Sequence, residues 1–239
     1  MAKKIIIIKI IVFSFFIGAF GQNSILTIKF LHYADNKKLC LDSVYKNELN
    51  QKFTLENFKY YISNFYLENS KGKKISYSEA FFINEDEETS KEIKLKNIPV
   101  DEYISIGFIL GVDSLHNCSG AQSGALDPIN GMFWTWNTGY IFLKLEGKSS
   151  YSSSPGNIFE YHIGGYKQPS NCIREIKLNM KNNLTFRNNE QSIINIKVNA
   201  LEILKTPNTI DFKKLSSVVD FRNATILADN YQDMFTLIE

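Results

Sequence analysis

Residues 24–33, SILTIKFLHY, indicate the fold class, because polar and apolar side chains alternate along them. The even-numbered residues from Leu26 to Phe30 are all apolar, whereas the odd-numbered positions between them carry Thr27 and Lys29. A period of two is typical of a β-strand that buries one face. We therefore expect the chain to form a β domain.

Further segments of the chain extend this pattern. Residues 53–68, FTLENFKYYISNFYLE, are rich in aromatic and β-branched side chains, which suit a pleated surface, and form two strands or one bent strand. Many short strands separated by turns favour a sandwich or barrel. We predict an all-β, antiparallel β-sandwich-like single domain with short helical pieces near the C-terminus, at residues 211–219 and 222–234. The other predicted strands cover residues 73–83, 100–112, 139–146, 158–164, 173–178 and 192–204.

The first 21 residues, MAKKIIIIKIIVFSFFIGAFG, combine early lysines with an apolar run and the small residues Ala19 and Gly21. This order is typical of a secretory signal peptide that is cleaved after Gly21. The alternative is an N-terminal membrane anchor, for which the apolar run at residues 10–20 is short. We expect residues 22–239 to form the mature domain, periplasmic or secreted, with no stable membrane insertion.

The charge and composition of the chain exclude several classes of protein. The chain has 27 basic and 25 acidic residues, and loss of the three lysines in the leader leaves 24 basic residues. A near-neutral body argues against a nucleic-acid-binding protein, which would carry a basic excess. Hydrophobic residues make up 44% of the chain and aromatic residues 13%, enough for a sizeable core and against a disordered chain.

One long loop stands out between two predicted strands. Residues 111–140, GVDSLHNCSGAQSGALDPINGMFWTWNTGY, have little periodicity but contain both tryptophans, Trp134 and Trp136, together with His116 and Met132. A loop of this length in a compact domain is usually functional or disordered. Disordered segments rarely concentrate tryptophan. We therefore expect an ordered, packed loop that shapes a functional site.

The chain has three histidines, His32, His116 and His162. Imidazole is the commonest side-chain ligand of transition metals and suits copper and zinc. The alternative for each histidine is a hydrogen-bonded structural role. The sequence has no G-x-S-x-G, H-E-x-x-H or C-x-x-C motif and no phosphate-binding glycine loop, so we do not predict an enzyme.

The three cysteines, Cys40, Cys118 and Cys172, allow three alternative single disulfides. We favour Cys118–Cys172, because it would tie together the segments that carry His116 and His162. Closing a loop of that size contributes roughly 4 kcal/mol in the chain-entropy model. The alternative is three unpaired cysteines, two of them packed in the core.

Five stretches of the chain resemble the MbnP family, over about residues 24 to 236. The most specific is the tryptophan-rich GALDPINGMFWTWNTGYIFLKLEG followed by FEYHIGG. The opening KFLHYADNKKLCLD and FKYYISNFYLE and the closing ADNYQDMF are also similar to that family. The resemblance implies an exported, all-β, sandwich-like domain associated with copper and with methanobactin systems.

The resemblance also implies a site that binds a single copper ion through two histidines. His162, in YHIGG, matches the family's His-Gly strand motif, and His116 stands about two positions from the family's other histidine. Trp134 and Trp136 match an F-W-x-W pattern, either as sites of oxidation to kynurenine or as a packed aromatic wall. A di-haem, peroxidase-like partner performs that oxidation in such systems. His32 is a further candidate ligand.

These observations lead to two hypotheses about function. The first is an exported copper-binding protein that binds copper rather than turning over a substrate, with a thioether such as Met132 as an extra ligand for Cu(I). The second is a metal-free exported binding module, in which Trp134, Trp136 and Tyr140 are presented to a glycan or a protein. The spatial relation of the histidines distinguishes the two.

Overall fold

A computed structural model describes residues 24–134 and 139–238. The predicted signal peptide at residues 1–21, and Trp136, lie outside the described residues. Among the residues that are described, no helix has the length and apolar character needed to cross a membrane.

Strands dominate the described structure, as the alternating sequence predicts. Their bounds are β1 (Ile25–Ala34), β2 (Lys37–Lys38), β3 (Val44–Lys46), β4 (Lys52–Asn69), β5 (Lys74–Asn84), β6 (Glu92–Lys96), β7 (Asp101–Leu110), β8 (Phe133–Trp134), β9 (Gly139–Lys148), β10 (Ile158–Gly164), β11 (Arg174–Phe186), β12 (Gln191–Asn199), β13 (Ser217–Val218) and β14 (Phe235–Ile238).

The strands form two sheets. In the small sheet, β14, β12, β1 and β2 follow one another, and β6 also pairs with β1. In the large sheet the order is β11, β7, β4, β9, β10 and β13, and β3 and β5 also pair with β4. The predicted sandwich-like all-β fold is confirmed. The sheets are mixed rather than purely antiparallel, because β1 pairs with β12 and β10 pairs with β13 in parallel.

The core lies between the two sheets and is rich in aromatic rings. Phe30 of β1 makes edge-to-face contacts with Tyr60 of β4 and Phe108 of β7, with ring centroids 6.4 and 6.1 Å apart. Such contacts add to the free energy of burying large apolar rings. Along β1, buried and half-buried residues alternate without exception. The period of two that the sequence shows is therefore the inside–outside alternation of a central strand.

Helical structure is sparse and partly differs from the prediction. Among the described residues, the α-helices are α1 (Ser114–Cys118) and α2 (Ala224–Tyr231), and short 3₁₀ segments also occur, such as Gln232–Met234 directly after α2. The helix predicted at residues 222–234 is confirmed. The helix predicted at residues 211–219 is wrong, because a turn there leads directly into β13, which pairs with β10.

Candidate functional site

The candidate site lies where two strands meet end to end along β4. β7 ends at Leu110, opposite Ile62, and β9 reaches β4 at Leu143, opposite Tyr60. β5 pairs with both halves of β4 on the other side, so β7 and β9 share one side of this long strand. We call the place between them the β7–β9 gap. The long loop connects the two strands across it.

The described part of the loop is ordered by side-chain hydrogen bonds to its backbone. The Asp113 carboxylate accepts hydrogen bonds from the backbone N–H groups of Leu115 and His116 and so caps α1. The Asn117 side chain is 2% exposed, and its oxygen accepts a hydrogen bond from the backbone N–H of Tyr140. These bonds tie α1 to the start of β9. The prediction of an ordered, packed loop is confirmed for the described residues.

His116 is held by the residue that caps its own helix. Its Nδ1 lies 2.6 Å from Oδ2 of Asp113. Burial tends to raise the pKa of Asp113, but hydrogen bonds from the backbone and ring of His116 bring that pKa below its ordinary value. Among the described residues, Nε2 of His116 has no hydrogen-bond partner. With Nδ1 bound to the carboxylate, Nε2 is the nitrogen left to bind a ligand.

His162 stands on the outer face of the large sheet, on β10. Its Nε2 lies 2.6 Å from Oε1 of Glu146 on β9, and the other oxygen of Glu146 accepts a hydrogen bond from the Asn57 amide. The hydrogen bond from His162 is the main cause that lowers the pKa of Glu146 to about 2. Within the described structure, Nδ1 of His162 has no partner, and the buried Oδ1 of Asn57 also has none.

His32 differs from the other two histidines because both of its ring nitrogens are occupied. Its Nδ1 is hydrogen-bonded to Glu85, and its Nε2 lies 2.8 Å from the hydroxyl of Tyr60. The side chain is 1% exposed. Burial lowers the pKa of His32 below its ordinary 6.5, although Glu85 favours the charged ring. His32 therefore links the two sheets as a buried, neutral ring, and neither of its nitrogens is left to bind a metal.

The described residues contain no group of three or more histidine, cysteine and acidic side chains that could hold a metal ion. The His116–Asp113 and His162–Glu146 pairs are therefore separate, and the structure does not bring the two predicted ligands together. Met132 is fully buried in the hydrophobic core. Each of these partly exposed imidazoles still fits copper by its own chemistry, because a ligating histidine commonly has its second nitrogen held by a carboxylate. The ligand roles stay predictions.

The predicted Cys118–Cys172 disulfide is not formed, because all three cysteines are free. Cys118 is exposed at the end of α1, and its thiol lies 3.5 Å from the hydroxyl of Tyr166. Cys172 is buried, and its thiol points to the backbone carbonyl of Ser170. The two thiols therefore have different partners and environments. The positions of the two cysteines beside the histidine segments were not enough to predict a bond between them.

An aromatic pocket of about 360 Å³ lies beside the β7–β9 gap. Trp134 forms one wall and packs edge-to-face on Phe221, with ring centroids 5.2 Å apart. Gly164 is needed behind Trp134, since a Cβ there would lie 2.7 Å from the indole ring. The pocket is lined by Asn117, Trp134, Gly139, Tyr140, Gly165, Tyr166, Lys167, Gln168, Ser170 and Phe221.

Sequence reasoning missed the carboxylates that orient the two histidines. Asp113 carried a usable signal, because an aspartate just before a short helix is a preferred N-cap and lies three residues ahead of His116. Glu146 carried none, because its contact with His162 depends on the register of β9 against β10. Phe221 joins the pocket from a segment distant in sequence and also had no local signal.

Comparison with known proteins identifies the family. The MbnP family model matches residues 23–221. Among solved structures, MbnP from Methylosinus trichosporium is similar, with a TM-score of 0.53 and 14% identity over 81% of this chain and 79% of that chain. At that identity, the likeness shows the fold alone. In a separate comparison, no curated protein matches this chain. Because the family model covers most of the sequence, this chain belongs to the MbnP family.

Proposed function

We propose that this protein is an exported copper-binding protein that binds one copper ion through His162 and His116, without turnover of a substrate. Membership of a family linked to methanobactin and copper systems supports the proposal. The observation that carries it is the state of the two rings. Each is partly exposed, with one nitrogen on a carboxylate and the other without a partner among the described residues.

The carboxylates have a clear role in this proposal. Asp113 and Glu146 each hold one ring nitrogen, which fixes the tautomer and orientation of the imidazole and raises its basicity. Bound copper would supply a Lewis-acidic, redox-active centre. Neutral imidazole suits both of its common oxidation states. Because protonated imidazole cannot bind a metal, we expect copper affinity to fall as the pH drops through the histidine range.

The proposed location rests on the leader sequence. The signal-peptide pattern of residues 1–21 supports a location of the mature protein outside the cytoplasm, in the periplasm or the medium. Detection of a mature N-terminus at residue 22 in the exported fraction of cells would support this location. Retention of the leader in a membrane fraction would contradict it.

The number of copper ions bound per chain distinguishes one site shared by both histidines from two independent sites. One ion bound by both imidazoles requires the two segments to approach each other. We therefore expect about one copper per chain by elemental analysis, lost in both His116→Ala and His162→Ala. Two matched controls, Leu115→Ala beside His116 and Glu160→Gln beside His162, should keep the copper. Loss of half the copper in each histidine variant would contradict a shared site.

We also propose that a di-haem, peroxidase-like partner oxidises a tryptophan of this protein. Trp134 is 5% exposed, so its ring is covered by its neighbours. Trp136 follows it by two residues in the same motif. Intact mass of the protein isolated from its native host should show the change expected for kynurenine, which gains an oxygen and loses a carbon relative to tryptophan, and a Trp136→Phe variant should lack this change. An unmodified mass in the presence of the partner would contradict the proposal.

The second candidate is the metal-free binding module, favoured by the aromatic pocket. Trp134, Tyr140, Tyr166 and Phe221 surround a space large enough for part of a glycan ring or a peptide side chain. A Tyr166→Ala variant tests this function separately from copper, because among the described residues Tyr166 forms no hydrogen bond with either histidine pair. Loss of glycan or peptide binding with unchanged copper content would favour the module.

A further inference from the structure

The outer face of the small sheet carries half-buried and exposed side chains. β1 lies at its centre, and its odd-numbered residues from Ile25 to Tyr33 are half-buried while the even-numbered residues are buried. The register places Lys96 and Lys94 of β6 on the same outer face, beside Ile25 and Thr27. Lys94 and Lys96 are exposed, and the side chain of Lys29 is 42% exposed. This face is therefore free to meet another surface.

Lysine dominates the charge of this outer face. We call Lys29, Lys94, Lys96 and Lys197 the cationic face, since all four point outward from adjacent strands of the small sheet. Two carboxylates lie near them. Glu92 lies 3.5 Å from Lys29 and 3.2 Å from Lys94, and Asp35 lies close enough to Lys197 for this lysine to contribute to the lowering of the Asp35 pKa. Among the described residues, Lys96 and Lys197 form no ion pair with a carboxylate. The face thus keeps a net positive charge in a protein whose mature body is near neutral.

The outer face of the large sheet lacks such an excess. There, Lys148 pairs with Glu56 at 2.6 Å, Lys144 lies 4.0 Å from Glu146, and Lys59 stands opposite Lys144. Glu160 adds a further carboxylate opposite Glu146. Two sheets of one protein therefore present different charges to solvent. The asymmetry gives the molecule one side that is attracted to negative surfaces.

We propose that the cationic face docks this protein on an anionic phospholipid surface. Its strands contain lysine and no arginine. Lysine is a compact, hydrated point charge that suits diffuse attraction, whereas arginine favours the bidentate contacts of specific protein partners. Apolar side chains lie among the lysines, including Ile193, which is 61% exposed. Dispersed positive charge and an exposed isoleucine together match a lipid headgroup layer with a shallow apolar contact.

The test uses the purified mature protein and vesicles of phosphatidylcholine alone or mixed with phosphatidylglycerol. We expect co-sedimentation with the anionic vesicles that weakens as salt rises. The triple variant Lys94→Glu, Lys96→Glu, Lys197→Glu should lose about a hundredfold or more in partitioning, at roughly fivefold or more per lysine. The matched control is Lys46→Glu, Lys52→Glu, Lys214→Glu, three exposed lysines outside the small sheet. Thermal melting confirms that both triple variants fold.

Four results would overturn the proposal. The wild type could ignore anionic vesicles, or bind vesicles of both compositions equally. The control triple variant could lose as much binding as the cationic-face variant, which would show that binding depends on the net charge of the protein and not on this face. Salt-sensitive binding to polyglutamate in the absence of vesicle binding would assign the face to an acidic protein instead.

Discussion

His162 and His32 take different roles because they differ in how many of their ring nitrogens are hydrogen-bonded. His32 is buried with both nitrogens hydrogen-bonded, to Glu85 and Tyr60. His162 is partly exposed and uses one nitrogen on Glu146. The sequence shows three equivalent histidines, and nothing local to them indicates which ring is enclosed. The sequence indicates the histidines as candidate ligands, whereas their hydrogen-bond partners follow from strand register and sheet packing.

The first prediction concerns Glu146 as a positioning residue. We expect Glu146→Gln to weaken copper binding by about tenfold to a hundredfold, because loss of the carboxylate removes the charge that orients and strengthens the His162 imidazole. Competition with a chromophoric copper chelator measures the affinity. Glu160→Gln, on the same outer face, is the control and should bind normally. Equal affinity of Glu146→Gln and wild type would contradict the role.

The second prediction concerns the pH dependence of stability. Burial lowers the pKa of His32, so the unfolded chain takes up a proton below about pH 6.5 that the folded protein resists. The free energy of unfolding should therefore fall as the pH drops below that value. The pKa of Glu85, which burial tends to raise, is lowered overall by His32 and Lys91, so acid below its ordinary 4.5 removes further stability.

Urea unfolding at a series of pH values measures this effect. The double variant His116→Asn, His162→Asn keeps His32 and is the control, so it should lose stability over the same interval. Stability that stays constant or rises between about pH 7 and pH 5.5 would contradict the neutral, buried state of His32.

At the scale of elements, alternation located most strands but could not pair them. Residues 53–68 fall within one strand, β4, whose bend lies at Asn64, with a positive φ of 53° and a shift in register beside it. The sequence predicted one bent strand or two and could not decide. It also could not show that β12 returns beside β1 in parallel, because a strand's partner depends on the whole chain.

The third prediction concerns the close contact between β10 and the loop. A Cβ at Gly164 would lie 2.6 Å from the carbonyl oxygen of Tyr140 and 2.7 Å from the ring of Trp134. We expect Gly164→Ala to destabilise the protein by about 1–3 kcal/mol, as overpacking does, and to displace Trp134. Urea unfolding and tryptophan fluorescence measure the two effects.

Gly120→Ala is the control for this substitution. Its Cβ would meet no atom within 4 Å, but its φ of +72° costs an alanine about 1 kcal/mol. It should leave the fluorescence unchanged. A fluorescence spectrum of Gly164→Ala equal to that of the wild type would show that the strand end does not support Trp134.

At the scale of the whole molecule, the fold class was predictable and the assembly of the site was not. The composition indicated a large aromatic core, and the structure places those rings between two sheets. The disulfide was predicted from the positions of Cys118 and Cys172 relative to the histidines, and that prediction was wrong. Sequence position does not show which thiol is buried. In the structure Cys172 is buried and Cys118 is exposed, so the two thiols lie in different environments.

The fourth prediction is the reactivity of the three thiols. Cys40 and Cys118 are exposed and should react quickly with a thiol reagent in the native protein. Burial raises the pKa of the Cys172 thiol to about 12, so this thiol should react only after unfolding. Mass spectrometry of the labelled protein identifies the sites. If Cys118 reacted only after reduction of the protein, the result would indicate a disulfide at this cysteine and would contradict the prediction.

The copper content of the purified mature protein tests the central claim most directly. After loading with copper and removal of excess, elemental analysis should give about one copper per wild-type chain and none above background in His116→Ala or His162→Ala. Leu115→Ala and Glu160→Gln should match the wild type. A wild-type protein without copper, or full copper in either histidine variant, would contradict the proposal that these two imidazoles bind one ion.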